Sequence, residues 1–484
     1  MNRRLGYSQI GALLLACILC TCGPQKPSTD IPITTASEDA RTVFLDGRDK
    51  LENSELEKAA VLFDQAIQKD PQFALAYLYR AQSGGGYAVA QENRDKAVAL
   101  IGTVTPGEQL VIKYMVARAN AQTAQAKLYL DSLLVAFPMD KRIQMMAGLY
   151  YRSLADVKNA VTYYEKAVAL DSTYAPAYNL LGYDYMSLEK PEAAEKAFKT
   201  YMRLLPTLPN PVDSYAEFLR MSGRYDESIS QYNKVLKMDP TFTGSISGIG
   251  DCYLRKGDTK KAREYYREFI EKSPQINTKL VGYYSLAATY VQEGNIPEAV
   301  KILQERRAVA SDHNQNAQAV WSVAYEAYLL SAFGKAQEGL KKCDEAINLA
   351  KTASMSDRAR ENLLFWSNYW LSYSYAEAKN MQKSKECFAA FSKDVELRGN
   401  PGEADAVKSG NGYYAVKVGK YDEAIQQLSS IPEDPFAVYA LALAYAKKGD
   451  KENAGKMIDK LSRWNSISID QAVSMRLALA LGTQ

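Results

Sequence analysis

A single histidine, His313, serves the whole 484-residue chain. Serine–histidine and cysteine–histidine nucleophiles and multi-histidine metal sites all need imidazoles, so none is expected as the main activity. His313 stands between Asp312 and Asn314 in a polar stretch, the setting of a solvated loop residue. The six cysteines fall into two groups. Cys17, Cys20 and Cys22 crowd the N-terminus, whereas Cys252, Cys343 and Cys387 are scattered. The scattered three lack Cys-x-x-Cys ligand spacing and read as small apolar packing residues, with a Cys343–Cys387 disulfide left open. Gly84-Gly85-Gly86 has no preceding strand and no following Lys-Ser/Thr pair, so it reads as a loop between helices and not as a phosphate cradle. Carboxylates abound, as on any solvated helical face, and none stands out as an acid–base pair. The residues point to no enzyme, no cofactor and no metal.

Composition narrows the partners. Lys plus Arg number 59 against 56 Asp plus Glu, a formal charge of +3 without the basic footprint that nucleic-acid binding requires. Hydrophobic residues at 47% and charged residues at 24% are globular values that exclude wholesale disorder. Function is therefore expected in surfaces, and the elements that carry those surfaces must be read next.

The N-terminus reads as an address. Met1-Asn2-Arg3-Arg4 is a short basic stretch, and residues 10–19 form an apolar run. That run falls well short of the ~20 residues that span a bilayer and has the length of a signal-peptide core. Leu19-Cys20-Thr21-Cys22 resembles the lipobox of bacterial lipoproteins, which implies cleavage after residue 21 and lipid on Cys22. Leu14-Leu15-Ala16-Cys17 matches the same pattern and keeps Cys17 as the alternative lipid site. Cleavage or anchoring without lipid is the remaining alternative. Pro24, Pro27 and Pro32 among Ser, Thr, Gln and Lys make residues 22–39 a flexible tether. Loss of Arg3 and Arg4 with the leader would lower the charge from +3 to +1, so a lipid would have to do the anchoring.

The body is periodic. Prolines recur at 71, 106, 138, 206, 240 and 274, the last three at equal spacing, with Ser172 midway between 138 and 206. In successive frames starting at 141, 175, 209 and 243, the eighth position is Gly148, Gly182, Ala216 and Gly250. The twentieth is Ala160, Ala194, Ser228 and Ala262, and the twenty-fourth is Tyr164, Phe198, Tyr232 and Tyr266. Small residues let two helix axes approach, and the ring fills the space beside them. Tyr178, Leu181, Gly182 and Tyr185 stand on one helical face, with Ala194, Ala197, Phe198 and Tyr201 on the face of the next helix. Gly223, Gly257, Gly294, Gly334, Gly419 and Gly449 fall where first helices should end in left-handed backbone. This pattern resembles the tetratricopeptide repeat, a helix-turn-helix unit of about 34 residues. The resemblance implies an all-α fold, an α-α superhelix.

Looser frames extend the pattern to about twelve helix pairs. The frame from 40 is good, that from 107 has Tyr114 where a small residue belongs, and a three-residue slip follows residue 276. Weaker frames begin near 320, 365, 405 and 435. The organisation expected is N-terminal repeats over 40–140, regular repeats over 141–310, and irregular repeats with a capping helix over 311–484. The cap is residues 467–482, with Ile469, Val473, Leu477 and Leu481 on one face. In such a stack each repeat touches only its neighbours.

By the same resemblance, first helices line a groove. The positions that face it are Arg152, Asn179, Tyr183, Asp213, Glu217, Arg220, Asp251 and Arg255. Such side chains suit an extended peptide or a partner's loop, with Arg220 and Arg255 expected to be exposed. The function implied is a non-enzymatic scaffold for a protein or peptide partner, held on the bacterial cell envelope by its N-terminal lipid. A soluble exported binding protein without a lipid anchor is the first alternative, and an enzyme built on the solenoid is the second.

Overall fold

The computed structural model describes residues 30–399, 401–464 and 467–482. The expected leader, with Cys17, Cys20 and Cys22, lies outside the described residues. Among those described there is no strand, and helices follow one another as twelve packed pairs and one terminal helix. None of them is long and apolar enough to cross a membrane.

Proline sets the ends of second helices with a constant offset. Helices end at Lys69, Ala136, Leu204, Met238 and Lys272, each two residues before Pro71, Pro138, Pro206, Pro240 and Pro274. The ring of a proline pushes the preceding residue out of the helical region, so the helix stops one residue earlier still. First helices end through left-handed backbone. Gly223, Gly257, Gly294, Gly334, Gly419 and Gly449 all have φ between +76° and +87°.

The close approach within each pair is steric. A Cβ on Gly182 would stand 2.5 Å from the Phe198 ring, and one on Gly148 would stand 2.2 Å from the Tyr164 ring. Phe198 and Tyr164 are fully buried, as are Ala160 and Ala194. Tyr114, the exception in its frame, is also fully buried, and its hydroxyl donates to the Met146 carbonyl at 3.0 Å. Gly84 and Gly85 lie in the loop before the helix Gly86–Ala99, as expected of this glycine run.

The slip after 276 has a simple cause. Helices there grow longer: Ile276–Glu293, Ile296–Asp312, Asn316–Ala332, Ala336–Thr352 and Asp357–Glu377 each exceed the preceding Gly244–Arg255 and Thr259–Lys272. An added turn in each helix stretches the repeat to roughly 40 residues, so a 34-residue frame loses register while the pairing persists.

The chain divides into two compact units, residues 1–204 and 205–484. In the first, the end of the expected tether is tied down. Ile31 N–H donates to Asp140 Oδ2 at 3.0 Å, Thr34 N–H to Glu108 Oε1 at 2.7 Å, and Ala36 N–H to Asp70 Oδ2 at 3.1 Å. Ser37 then caps the helix Glu38–Glu52. In the second unit the terminal helix Ile469–Gly482 packs on the last helix pair as a cap would, and also on Ile276–Glu293. Ile469 and Val473 are fully buried and share a core with Leu286, Ala287 and Val291. Ile469 N–H donates to the Tyr284 hydroxyl at 3.0 Å. The expectation that each repeat touches only its neighbours fails here, because the terminal helix bridges repeats far apart in sequence.

Candidate functional site

The eight expected groove residues sit on first helices: Arg152 on Lys141–Ser153, Asn179 and Tyr183 on Ala175–Ser187, Asp213, Glu217 and Arg220 on Pro209–Met221, Asp251 and Arg255 on Gly244–Arg255. Arg152, Asp213, Arg220 and Asp251 are engaged with the neighbouring repeat. In the first unit, Arg152 reaches Asp184 at 3.3 Å, and that carboxylate is buried. Burial raises the Asp184 pKa, and Arg152 opposes the rise. Tyr183 meets Phe198 edge-on at 5.1 Å. Asn179 keeps a buried Oδ1 without a hydrogen-bond partner among the described residues.

In the second unit the same arrangement is denser. Arg220, with a side chain only 12% exposed, lies 3.4 Å from Glu217 and 3.7 Å from Asp251. Tyr266 donates to Asp251 Oδ1 at 2.7 Å. Ser245 Oγ donates to Asp213 Oδ1 at 2.5 Å, yet burial, with some help from Glu217, pushes the Asp213 pKa up to about 6. Desolvation depresses the Arg255 pKa, and Arg220 beside it adds to the effect. The expected exposure of Arg220 and Arg255 is therefore wrong: both are half-buried in a polar seam. First helices in a stack lie close enough for an arginine on one to reach an aspartate on the next. That contact stitches repeats together and leaves these charges little freedom to meet a partner.

The chemistry-bearing space lies elsewhere, in a cavity of about 660 Å³ inside the second unit. The helix Asn316–Ala332 contributes Trp321, Tyr325 and Tyr328, spaced i, i+4, i+7. The helix Asp357–Glu377 contributes Trp366, Tyr369, Trp370 and Tyr373, spaced i, i+3, i+4, i+7. Both are first helices of their pairs. Trp321 and Trp370 meet edge-on at 5.0 Å, and Tyr328 and Tyr373 lie 5.3 Å apart. The opposite wall is the turn of residues 430–434 with Pro435 and Phe436, and Asp470 of the terminal helix completes it. Three of the four tryptophans of the chain thus face one space.

The remaining candidates are quieter. Cys252 and Cys343 are buried free thiols whose pKa values burial pushes up to about 11, and Cys387 is a free thiol too. His313 closes the helix Ile296–Asp312, its exposed ring 2.9 Å from the Val309 carbonyl. Among the described residues no group of His, Cys, Asp and Glu is disposed to hold a metal.

Comparison with known proteins agrees with the helix pairs. Tetratricopeptide repeat family models match residues 142–174, 175–206, 219–275 and 437–467. Those four segments carry tetratricopeptide repeats. The chain is 29% identical over 110 residues to Superkiller complex protein 3 of Mus musculus, covering 23% of this chain and 7% of that one. It is 26% identical over 153 residues to anaphase-promoting complex subunit 7 of Arabidopsis thaliana, covering 31% of this chain and 26% of the relative. The chain thus spans a small part of these relatives. Among solved structures, a tetratricopeptide repeat protein from Parabacteroides merdae ATCC 43184 superposes with TM-score 0.34 and 16% identity, covering 68% of this chain and 99% of that one. The fold is the all-α superhelix of tetratricopeptide repeats, a family whose members serve as protein–protein interaction scaffolds.

The cavity's aromatic rings stand on first helices, but away from the eight residues to which the tetratricopeptide resemblance pointed. What the resemblance missed was place: the signal was an aromatic stripe at helical spacing on the irregular repeats, which by itself also reads as core.

Proposed function

We propose that this chain is a non-enzymatic tetratricopeptide scaffold that binds a protein or peptide partner. We further propose that it is exported and held on the bacterial cell envelope by lipid on Cys22. The observation that carries the partner reading is the hold of the first unit on its own extended segment. Asp140, Glu108 and Asp70 accept the backbone N–H groups of Ile31, Thr34 and Ala36, while Arg41 donates to the Ile33 carbonyl at 2.7 Å. Backbone-directed contacts of this kind suit an extended peptide of variable sequence. The half-buried Asn179 and Tyr183 offer a further amide and ring on a first helix of the same unit. The apolar run and lipobox-like cysteine carry the envelope reading.

Photo-crosslinking from position 183 in intact cells tests the partner reading. A discrete, reproducible protein adduct that disappears when the crosslinker sits at exposed Glu189 on the same repeat is expected. Equal adducts from both positions would remove this face from consideration.

A further inference from the structure

We propose that the aromatic cavity of the second unit binds an organic cation, an ammonium group carried on an apolar or polymethylene body. The proposal stands apart from the scaffold reading and from lipid attachment, since the cavity is built wholly within residues 205–484.

Size and surface suit a small molecule. A space of about 660 Å³ lies within the ~300–1,000 Å³ typical of small-molecule sites, and eight of the nineteen residues that line it are aromatic. Aromatic faces are negative at the centre and attract cations. The balance of charge also favours a cation. Among the described residues no Lys, Arg, His, Asn or Gln side chain lines the cavity. Pro432 and Pro435 remove two backbone N–H groups from its opposite wall. The cavity's polar side chains are four carboxylates, which only accept, together with neutral indole N–H groups and hydroxyls. A neutral saccharide would leave the charge of these carboxylates unmet, whereas an ammonium group would meet it.

The carboxylates of the cavity are unequally paired. Asp405 and Glu433 line it but have lysine partners, Lys408 at 2.7 Å and Lys460 at 3.5 Å. Asp434 and Asp470 have no ion pair among the described residues. Asp434 uses Oδ1 to cap its helix, accepting from Phe436 N–H at 2.8 Å. Asp470 is freed from capping because Ser468 Oγ accepts from Gln471 N–H at 3.0 Å. Its side chain stays accessible to solvent on the cavity side. Desolvation by the surrounding protein and the charge of Asp434 push its pKa up to about 6, against a hydrogen bond from Tyr284. Two carboxylates that repel one another in a cavity shared with aromatic rings make a site whose missing complement is positive.

The groups facing Asp470 from the surrounding elements are Asp434, Tyr284, Tyr325, Tyr328 and Tyr369. The nearby Arg306 guanidinium is already held by the Leu280 and Gln318 carbonyls and by Ser322. Below pH 6 Asp470 takes up a proton and the site loses one negative charge. A cation that stays charged across this range should therefore bind more weakly in acid.

Tryptophan fluorescence and calorimetric titration of the whole protein with choline, spermidine, 3,3-dimethylbutan-1-ol and methyl glucoside test the proposal. At pH 7.5 saturable binding of choline or spermidine is expected, at least about tenfold tighter than the neutral dimethylbutanol. The better of the two cations tells a single quaternary centre from a polyamine, and either supports the site. The affinity should fall several-fold at pH 5.0 and in Asp470→Asn, and Trp370→Leu should weaken it as well. If Asp470→Asn unfolds, the comparison of choline with its neutral isostere on the unaltered protein decides alone. Equal binding of isostere and cation, preference for the glucoside, or no saturable binding of either cation would overturn the proposal.

Discussion

Replacing Gly182 by alanine tests the central packing claim, that first and second helices meet glycine against ring. The backbone at Gly182 is ordinary helix, so alanine meets no conformational strain, and by propensity alone it should stabilise by about 0.8–1 kcal/mol. Sterics oppose that gain. The new Cβ would stand 2.5 Å from the Phe198 ring, whereas unstrained carbon contacts lie near 3.5–4.0 Å. The ring is fully buried and cannot swing away, so the helices must part by about 1 Å, at an overpacking cost of about 1–3 kcal/mol. The net expectation is destabilisation of about 1 kcal/mol. Gly455, also mid-helix, has nothing within 4 Å of its would-be Cβ, so Gly455→Ala should stabilise its own helix by about 0.8 kcal/mol. In a repeat protein the effects are local, so hydrogen exchange in peptides spanning 175–204 and 451–462 is the assay. Faster exchange of several-fold in the first and slower exchange in the second are expected. Shrinking the ring with Phe198→Leu should then reverse the sign of Gly182→Ala. Matching signs at Gly182 and Gly455, or no reversal in the Phe198→Leu background, would refute the close-approach argument.

Other outcomes follow from the polar seams and the termini. Arg220→Ala should cost about 3 kcal/mol in urea unfolding of the second unit, because it leaves Asp251 buried without its cation, and Arg220→Lys should recover only part. Asp213 has its folded pKa raised to about 6, above the unfolded value near 3.9, so its contribution is present below pH 4 and is lost as pH rises through 6. Asp213→Asn should thus raise stability at pH 7.5 by about 1–2 kcal/mol and leave pH 4 nearly unchanged, and a uniform shift across pH would contradict the assignment. Cys22→Ala should abolish lipid labelling and membrane fractionation, and unchanged labelling with loss only in Cys17→Ala would move the lipid. Deleting residues 467–484 should raise exchange in Ile276–Glu293 as well as in Pro435–Lys448, and protection unchanged in the former would mean the bridge carries no stability.

Much of the local architecture was legible in the chain. The helix pairs, the proline offsets, the small residues against rings and the left-handed glycine ends all depend on residues within one repeat. They carry periods that local physics imposes. The irregular repeats were harder, because an added turn per helix moves every later residue out of frame without altering what each helix buries. The expected groove residues do lie on first helices, yet the burial of Arg220 and Arg255 was not legible. Whether Arg220 meets water or Asp251 depends on how closely two first helices stack, which no single-repeat pattern records.

The aromatic cavity marks the boundary between the two kinds of information. Trp366, Tyr369, Trp370 and Tyr373 form a stripe that the sequence determines outright, since 3.6 residues per turn places them on one face. Whether that stripe is filled by neighbours or left facing a space is decided by the turn of residues 430–436 together with the terminal helix. Its apolar face of Ile469 and Val473 would look the same on a plain cap, and only the fold brings it to Leu286 and Tyr284 and sets Asp470 opposite the rings. Contacts between residues nearly two hundred positions apart leave no periodic trace, because their geometry is the accumulated rotation of every repeat between them.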